Sequence, residues 1–273
     1  MCKYRICQYD IKEVQSKLLL ILIEADRICR KHNIKYSLEG GSLLGAIKYK
    51  GFVPWDDDID IIMERKEYER FLRICKIELR DEFFLQNNRT VRHFPLSYTK
   101  LHMKNTLYAQ ESTAHLRIHQ GLFIDIFPVD KIFRPSFRLQ VALVGALTSA
   151  RSVKLNRIYK KDELVRGNRF KLFIYHILAF FPLWWINFSI DICCRIFNGF
   201  PSRYLYEVCN PNLKFKPLNG RVYRELIEVE FMGMKFLASK HYRLFLKSRF
   251  GDIRKLPPEE KRLPSHKIIK CKL

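Results

Sequence analysis

No Cys-x-x-Cys pair occurs in these 273 residues, although eight cysteines are present. Cys2, Cys7, Cys29, Cys75, Cys193, Cys194, Cys209 and Cys271 show no metal-ligand spacing with histidine either. That pattern argues against a zinc module and a small disulfide scaffold, and reduced, mostly buried thiols are expected. An uninterrupted apolar stretch is missing before Asp10, so no secretory signal is read there. Internal repeats, low-complexity tracts and nucleic-acid-binding motifs are absent as well. Acidic residues are scarce in one half only. Residues 1–130 hold 21 Lys+Arg against 18 Asp+Glu, whereas residues 131–273 hold 29 against 10. With nucleic acid unsupported, an anionic membrane surface or an anionic glycolipid is the expected partner of the basic half. A solvated basic face is the plainer alternative.

Hydrophobic residues make up 48% of the chain, enough for a substantial core. Val14, Leu18, Ile21, Leu22, Ala25 and Ile28 form one helical stripe over 11–31, ended by His32-Asn33. A second amphipathic helix is expected over 66–79. Strands are expected at 34–38, 83–86, 96–103 and 121–127. Residues 136–161 and 170–209 read as helices, 222–236 as strands or a hairpin turned at Gly233, and 240–249 as a last helix stopped by Gly251. The fold class is therefore α/β (α+β), a mixed sheet flanked by helices with an added helical basic segment. Three stretches follow: a catalytic core over 1–130, a helical, basic, aromatic-rich segment over 131–215, and C-terminal elements over 216–273. Leu172–Phe197 has the length of a membrane span, but Pro182 interrupts its centre. Helices lying on a lipid surface are expected there, with Trp184 and Trp185 at interface depth. A buried helical hairpin and a true span are the alternatives.

Chemistry concentrates in Trp55-Asp56-Asp57-Asp58-Ile59-Asp60-Ile61-Ile62. Strand alternation would put Asp58 and Asp60 on one face, about 6–7 Å apart. Two such anions persist mainly when a cation lies between them, and hard Mg²⁺ takes oxygen ligands together with substrate phosphates. Just upstream, Gly40-Gly41-Ser42 separates the strand 34–38 from an expected helix over 43–48. Glycines allow close backbone approach, helix-start amides favour an anion, and Ser42 can cap the helix or donate to a phosphate. Asp125 sits in the apolar run Gly121-Leu122-Phe123-Ile124-Asp125-Ile126-Phe127, where an unpaired charge is costly, so it is read into the same site. Asp130 is assigned to a turn after Pro128. Lys100, His102 and Lys104 share a strand face. Lys100 is a candidate phosphate contact, while His102, His93, His115 and His119 are given surface or structural roles. Trp55 either stacks on a base or a choline-like cation or simply packs its loop.

Three motifs carry a family resemblance: Gly-Gly-Ser-Leu-Leu-Gly-Ala-Ile at 40–47, Gly-Phe-Val-Pro-Trp-Asp-Asp-Asp-Ile-Asp-Ile at 51–61, and Gly-Leu-Phe-Ile-Asp-Ile-Phe-Pro-Val-Asp at 121–130. With Arg249-Phe250-Gly251-Asp252 and the segment 255–262, they resemble the LicD family, whose core pattern fukutin-like glycan-modifying proteins share. The resemblance implies a nucleotidyltransferase-like fold and transfer of phosphocholine onto surface glycans. It implies catalytic metal, Mg²⁺ or Mn²⁺, on Asp58 and Asp60, completed by Asp125, with Asp56 contributing. Gly40, Gly41 and Ser42 would meet donor phosphate, and Lys48 stands where family members often carry Arg. The implied donor is a CDP-alcohol, most simply CDP-choline. The implied acceptor is a sugar hydroxyl of an envelope or lipid-linked glycan. Apart from the resemblance, the reduced thiols and the basic half lead to a cytoplasmic protein, peripheral at the inner face of the membrane, as the expectation. A nucleotidyltransferase acting on a small acceptor and an inactive membrane-associated scaffold are the competing readings. The oligomeric state is left open.

Overall fold

A computed structural model describes residues 8–155, 169–253, 255 and 257–273. Helix α1 (Ile11–Lys31) opens with Asp10, whose carboxylate accepts the Lys12 amide at 2.9 Å. It buries the expected stripe and ends at Asn33, which takes φ +51°. Short β1 (Ser37–Leu38) runs into α2 (Gly40–Tyr49), then a loop leads to β2 (Asp60–Glu64) and α3 (Arg65–Glu78). Strands β3 (Phe83–Gln86), β4 (Thr99–Met103), β5 (Leu107–Gln110) and β6 (Phe123–Lys131) follow.

One mixed sheet organises these elements in the order β1-β2-β6-β4-β3. Its central pair, β2 and β6, is parallel, and the other pairings are antiparallel. Strand β7 (Tyr204–Tyr206) extends the far end of β6 and pairs with β8 (Leu218–Asn219). Helices α4 (Phe137–Lys154), α5 (Arg169–Ala179) and α6 (Leu183–Arg195) form the helical segment. After the short α7 (Arg221–Arg224), β9 (Leu226–Phe231) and β10 (Met234–Ser239) make a hairpin. It turns at Met232 and Gly233, both at positive φ, as a two-residue hairpin requires. Helix α8 (Tyr242–Phe250) ends at Gly251 with φ +73°, and β11 (Ile268–Lys272) pairs with β5. All three stretches of the chain share one core, to which Ile61, Val144 and Phe245 each contribute.

Several expectations need correction. The helix expected over 170–209 is two helices broken at Phe180-Phe181-Pro182, because proline cannot supply the interior amide hydrogen bond; the chain then turns extended at β7. Of the helix expected over 136–161, residues 137–154 are helical, and 156–161 lie outside the described residues. Asp130 is not in a turn. It ends β6 fully buried, where Arg65 donates to both its oxygens at 2.8 and 2.6 Å and Asn198 at 2.6 Å. His102 is buried too, with Nδ1 2.9 Å from the Gly121 carbonyl. No disulfide links the described cysteines; four are buried and two half-buried, while Cys2 and Cys7 lie outside the described residues.

Candidate active site

The site grows from the parallel pairing of β2 and β6. Their register sets Asp60 beside Asp125, and the antiparallel register of β4 sets Lys100 beside Asp125. Paired residues on neighbouring strands project to the same face, so a carboxylate, a carboxylate and an ammonium form a row across three strands. Lys100 closes its end of the row: its Nζ lies 2.8 Å from Asp125 Oδ1 and over the Phe123 ring. Burial pushes the Lys100 ammonium pKa down, against the pull of Asp125 and Asp60. Lys100 is thus spent on Asp125 and does not reach freely toward a phosphate.

Asp60 begins β2, so Asp58 and Asp56 stand in the preceding loop and not, as expected of Asp58, on the strand itself. They nevertheless converge with Asp60 on one cleft, also lined by Gly40, Gly41 and Trp55. Burial, then the neighbouring carboxylates Asp58, Asp125, Glu39 and Asp56, hold the Asp60 pKa well above the carboxylate range. Burial and the charge on Asp56 do the same to Asp58. Burial raises Asp56 to about 6, although hydrogen bonding partly offsets it. Three crowded carboxylates, each resisting its own charge, want a cation. Their donors are all oxygen, which fits Mg²⁺ or Mn²⁺ and not a softer metal.

Helix α2 frames the other side. It starts at Gly40, three residues earlier than expected, so the Gly-Gly-Ser run is its first turn and Ser42 does not cap it. Ser42 is buried, and its hydroxyl accepts the Asp60 amide at 2.9 Å, fixing where the carboxylate strand begins. Gly40 has φ +53°. A Cβ on Gly41 would meet Asp56 Oδ2 at 2.2 Å. Gly41→Ala should therefore displace Asp56 and raise the apparent dissociation constant for Mg²⁺ about 10–100-fold, measured by calorimetry with the fold checked by circular dichroism. Lys48 is exposed at the cleft edge and donates to the Ile253 carbonyl at 3.2 Å. Trp55 also lines the cleft, with the Arg262 guanidinium 5.9 Å from its ring centre.

Five residues, Asp57, His266, Arg249, Glu39 and Glu207, have roles that the sequence did not assign. Asp57 turns away from the cleft and accepts from Tyr108 at 2.8 Å, Tyr9 at 3.2 Å and the Ser265 amide at 2.8 Å. His266 Nδ1 lies 3.3 Å from Asp57 and 3.9 Å from Asp58. Burial would raise Asp57, but the His266 contact, with the tyrosine and amide bonds, holds it below its ordinary value. Asp57, Asp58 and His266 lie close enough to share a metal ion. Asp57 also holds the C-terminal segment, whereas Asp56, Asp58 and Asp60 line the cleft, and Asp125, expected among the metal ligands, is paired with Lys100. Across the cleft, Arg249 donates to Glu39 at 2.5 Å and Glu207 at 2.7 Å, with its guanidinium 4.5 Å from the Phe215 ring centre. Burial and the charge of Glu39 push Glu207 up to about 8. Arg249 stood in a quoted motif, but nothing local marks Glu207 as its partner. The open cleft has a volume of about 790 Å³, within the range of small-molecule sites.

Comparison with known proteins supports the same reading. The LicD/FKTN/FKRP nucleotidyltransferase domain model matches residues 33–143, which span α2, the carboxylate loop, β2, β4 and β6. The lipopolysaccharide cholinephosphotransferase LicD of Haemophilus influenzae is 28% identical over 272 aligned residues, covering 94% of this chain and 96% of its own. An uncharacterised protein of Rickettsia prowazekii is 34% identical over 106 residues, covering 32% of this chain and 38% of its own. The match to the Haemophilus protein runs nearly end to end, and the domain match encloses every carboxylate of the cleft floor: residues 33–143 are similar to a LicD-type nucleotidyltransferase domain.

Proposed function

We propose that the protein is a metal-dependent transferase that moves a phospho-alcohol group, most simply phosphocholine from CDP-choline, to a sugar hydroxyl of a cell-envelope glycan such as lipopolysaccharide. The observation that carries this reading is the convergence of Asp56, Asp58 and Asp60 on a cleft large enough for a nucleotide diphosphate donor. The near full-length similarity to a lipopolysaccharide cholinephosphotransferase supports the donor and acceptor classes.

In this mechanism Asp56, Asp58 and Asp60 would hold Mg²⁺ or Mn²⁺, which supplies charge neutralisation at the transferred phosphoryl group. Gly40 and Gly41 leave the start of α2 open to the donor diphosphate, and Lys48 adds positive charge at the cleft edge. Asp125, kept in place by Lys100, completes the acidic row and orients the acceptor hydroxyl. That oxygen attacks the phosphorus bearing the alcohol and passes its proton to the Asp125 carboxylate. The bridging P–O bond breaks, and CMP leaves with its electrons. Phosphoryl transfer of this kind is catalysed largely by positioning and charge stabilisation. Trp55, which lines the cleft, would stack on a base or a cationic head group.

Incubation with Mg²⁺, a panel of CDP-alcohols and an envelope glycan tests the reading. CMP release that depends on both acceptor and metal is the expected result. Release of pyrophosphate from a nucleoside triphosphate would instead identify a nucleotidyltransferase, and the absence of metal-dependent nucleotide binding would identify a scaffold.

A further inference from the structure

Helices in water-soluble domains hide one apolar face and wet the other. Helix α6 breaks that rule. Ile186, Ile190 and Cys194 are buried against the protein, yet Trp184, Phe188, Ile192 and Ile196 form a second stripe at i, i+4 spacing on the outside. Trp184 is 68% exposed and Phe188 58%. Helix α5 does the same with Phe170, Phe173 and Ile177, and its stripe runs into Phe180, 88% exposed at the corner between the helices. Leu139 and Leu143 add an apolar outer edge on α4, which packs against both.

The corner pairs four of its backbone amides within itself. Helices α5 and α6 meet at 114°. The Phe180 and Phe181 amides are taken by the carbonyls of Ile177 and Leu178, and the Trp185 and Ile186 amides by that of Pro182, which itself has no N–H. Phe181 stacks on Trp185 at 4.3 Å, stiffening the turn. Backbone groups paired in this way enter lipid at little cost. Crossing is another matter: no single described helix is long and apolar enough to span a membrane. The two helices have 11 and 13 residues, about 16 and 20 Å, against a hydrocarbon core of about 30 Å.

Charge selects the occupant. Residues 131–155 and 169–195 contain eight Lys and Arg, of which Arg151 is buried, against one acidic residue, Asp191, which pairs with Arg195 at 2.9 Å. A second copy of this chain docked on the same face would bring cation against cation. We infer that α5, the 180–182 corner and α6 seat in one leaflet of an anionic lipid bilayer, with Phe180, Trp184 and the outer stripe of α6 among the acyl chains and the flanking Lys and Arg at the headgroups. This goes beyond the proposed chemistry and does not depend on it.

Vesicle co-sedimentation of the full chain tests the inference, with phosphatidylglycerol-containing and pure phosphatidylcholine vesicles compared. Binding should favour the anionic vesicles, weaken with salt, and fall at least about tenfold in Phe180→Ser/Trp184→Ser. Brominated acyl chains should quench wild-type tryptophan fluorescence and lose most of that effect in Trp184→Phe. Both substitutions are at exposed sites, and unchanged Mg²⁺ binding would show that the cleft is intact. Absence of binding, binding unaffected by the double variant, or a dimer in solution that the double variant dissolves would each overturn the inference.

Discussion

Replacing Asp60 with Asn should reduce turnover roughly 10³-fold or more while leaving the protein as stable as before, or more so. The two effects share a cause. Asp60 starts the central strand in a buried position surrounded by Asp58, Asp125, Glu39 and Asp56. Its folded-state pKa is raised by that burial and repulsion. Ionising it at neutral pH therefore costs stability, and the cost grows as pH climbs above the ordinary carboxylate range toward the raised value. Asparagine keeps the shape and deletes the charge. The stability gap between variant and wild type should widen with rising pH in metal-free buffer. Added Mg²⁺ should raise the melting temperature of the wild type and fail to do so for Asp60→Asn. Near-normal CMP release by the variant would end the metal reading; loss of folding would leave Asp58→Asn to decide it by the same two measurements.

A loss of about 3–5 kcal/mol in stability is expected from Asp130→Ala, at a position outside the cleft. Asp130 is fully buried and receives both arms of Arg65 as well as Asn198. Removing the carboxylate leaves a guanidinium that is only 12% exposed with just its longer contacts to Glu69 at 3.7 Å and Asp191 at 4.0 Å. The pair joins the end of β6 to the start of α3, so the damage falls on the seam between sheet and helix. Replacing both partners, as in Arg65→Met/Asp130→Leu, should cost far less, because neither leaves a buried charge behind. Urea denaturation at neutral pH measures all three. A single substitution costing under about 1 kcal/mol would show that water reaches Arg65 and that the pair is not buried in solution.

How much of this was legible depended on range. The α1 stripe, the Gly233 turn and the Gly251 stop are local patterns, and each stands where the residues put it. The carboxylate loop was legible for the same reason, although Asp58 precedes the strand and does not sit in it. Pro128 suggested a turn, yet it lies inside β6. Pairing with β4 ends at Ile126, so the amide that proline lacks has no partner to miss on that side. His102 was left between a surface and a structural role because a lone histidine carries no sign of the Gly121 carbonyl waiting for it. Pairings such as Arg249 with Glu39, 210 positions apart, leave no periodic trace at all.

Another long-range pairing has a genetic consequence. Ser265 and His266 bond to Asp57 inside the very motif that supplies Asp56 and Asp58, and β11 then locks onto β5. A stop codon or frameshift falling around position 260 would spare most of the core yet unfasten the loop that carries the acidic cluster. Such late truncations, which a cataloguer of alleles would score as mild, should behave as nulls.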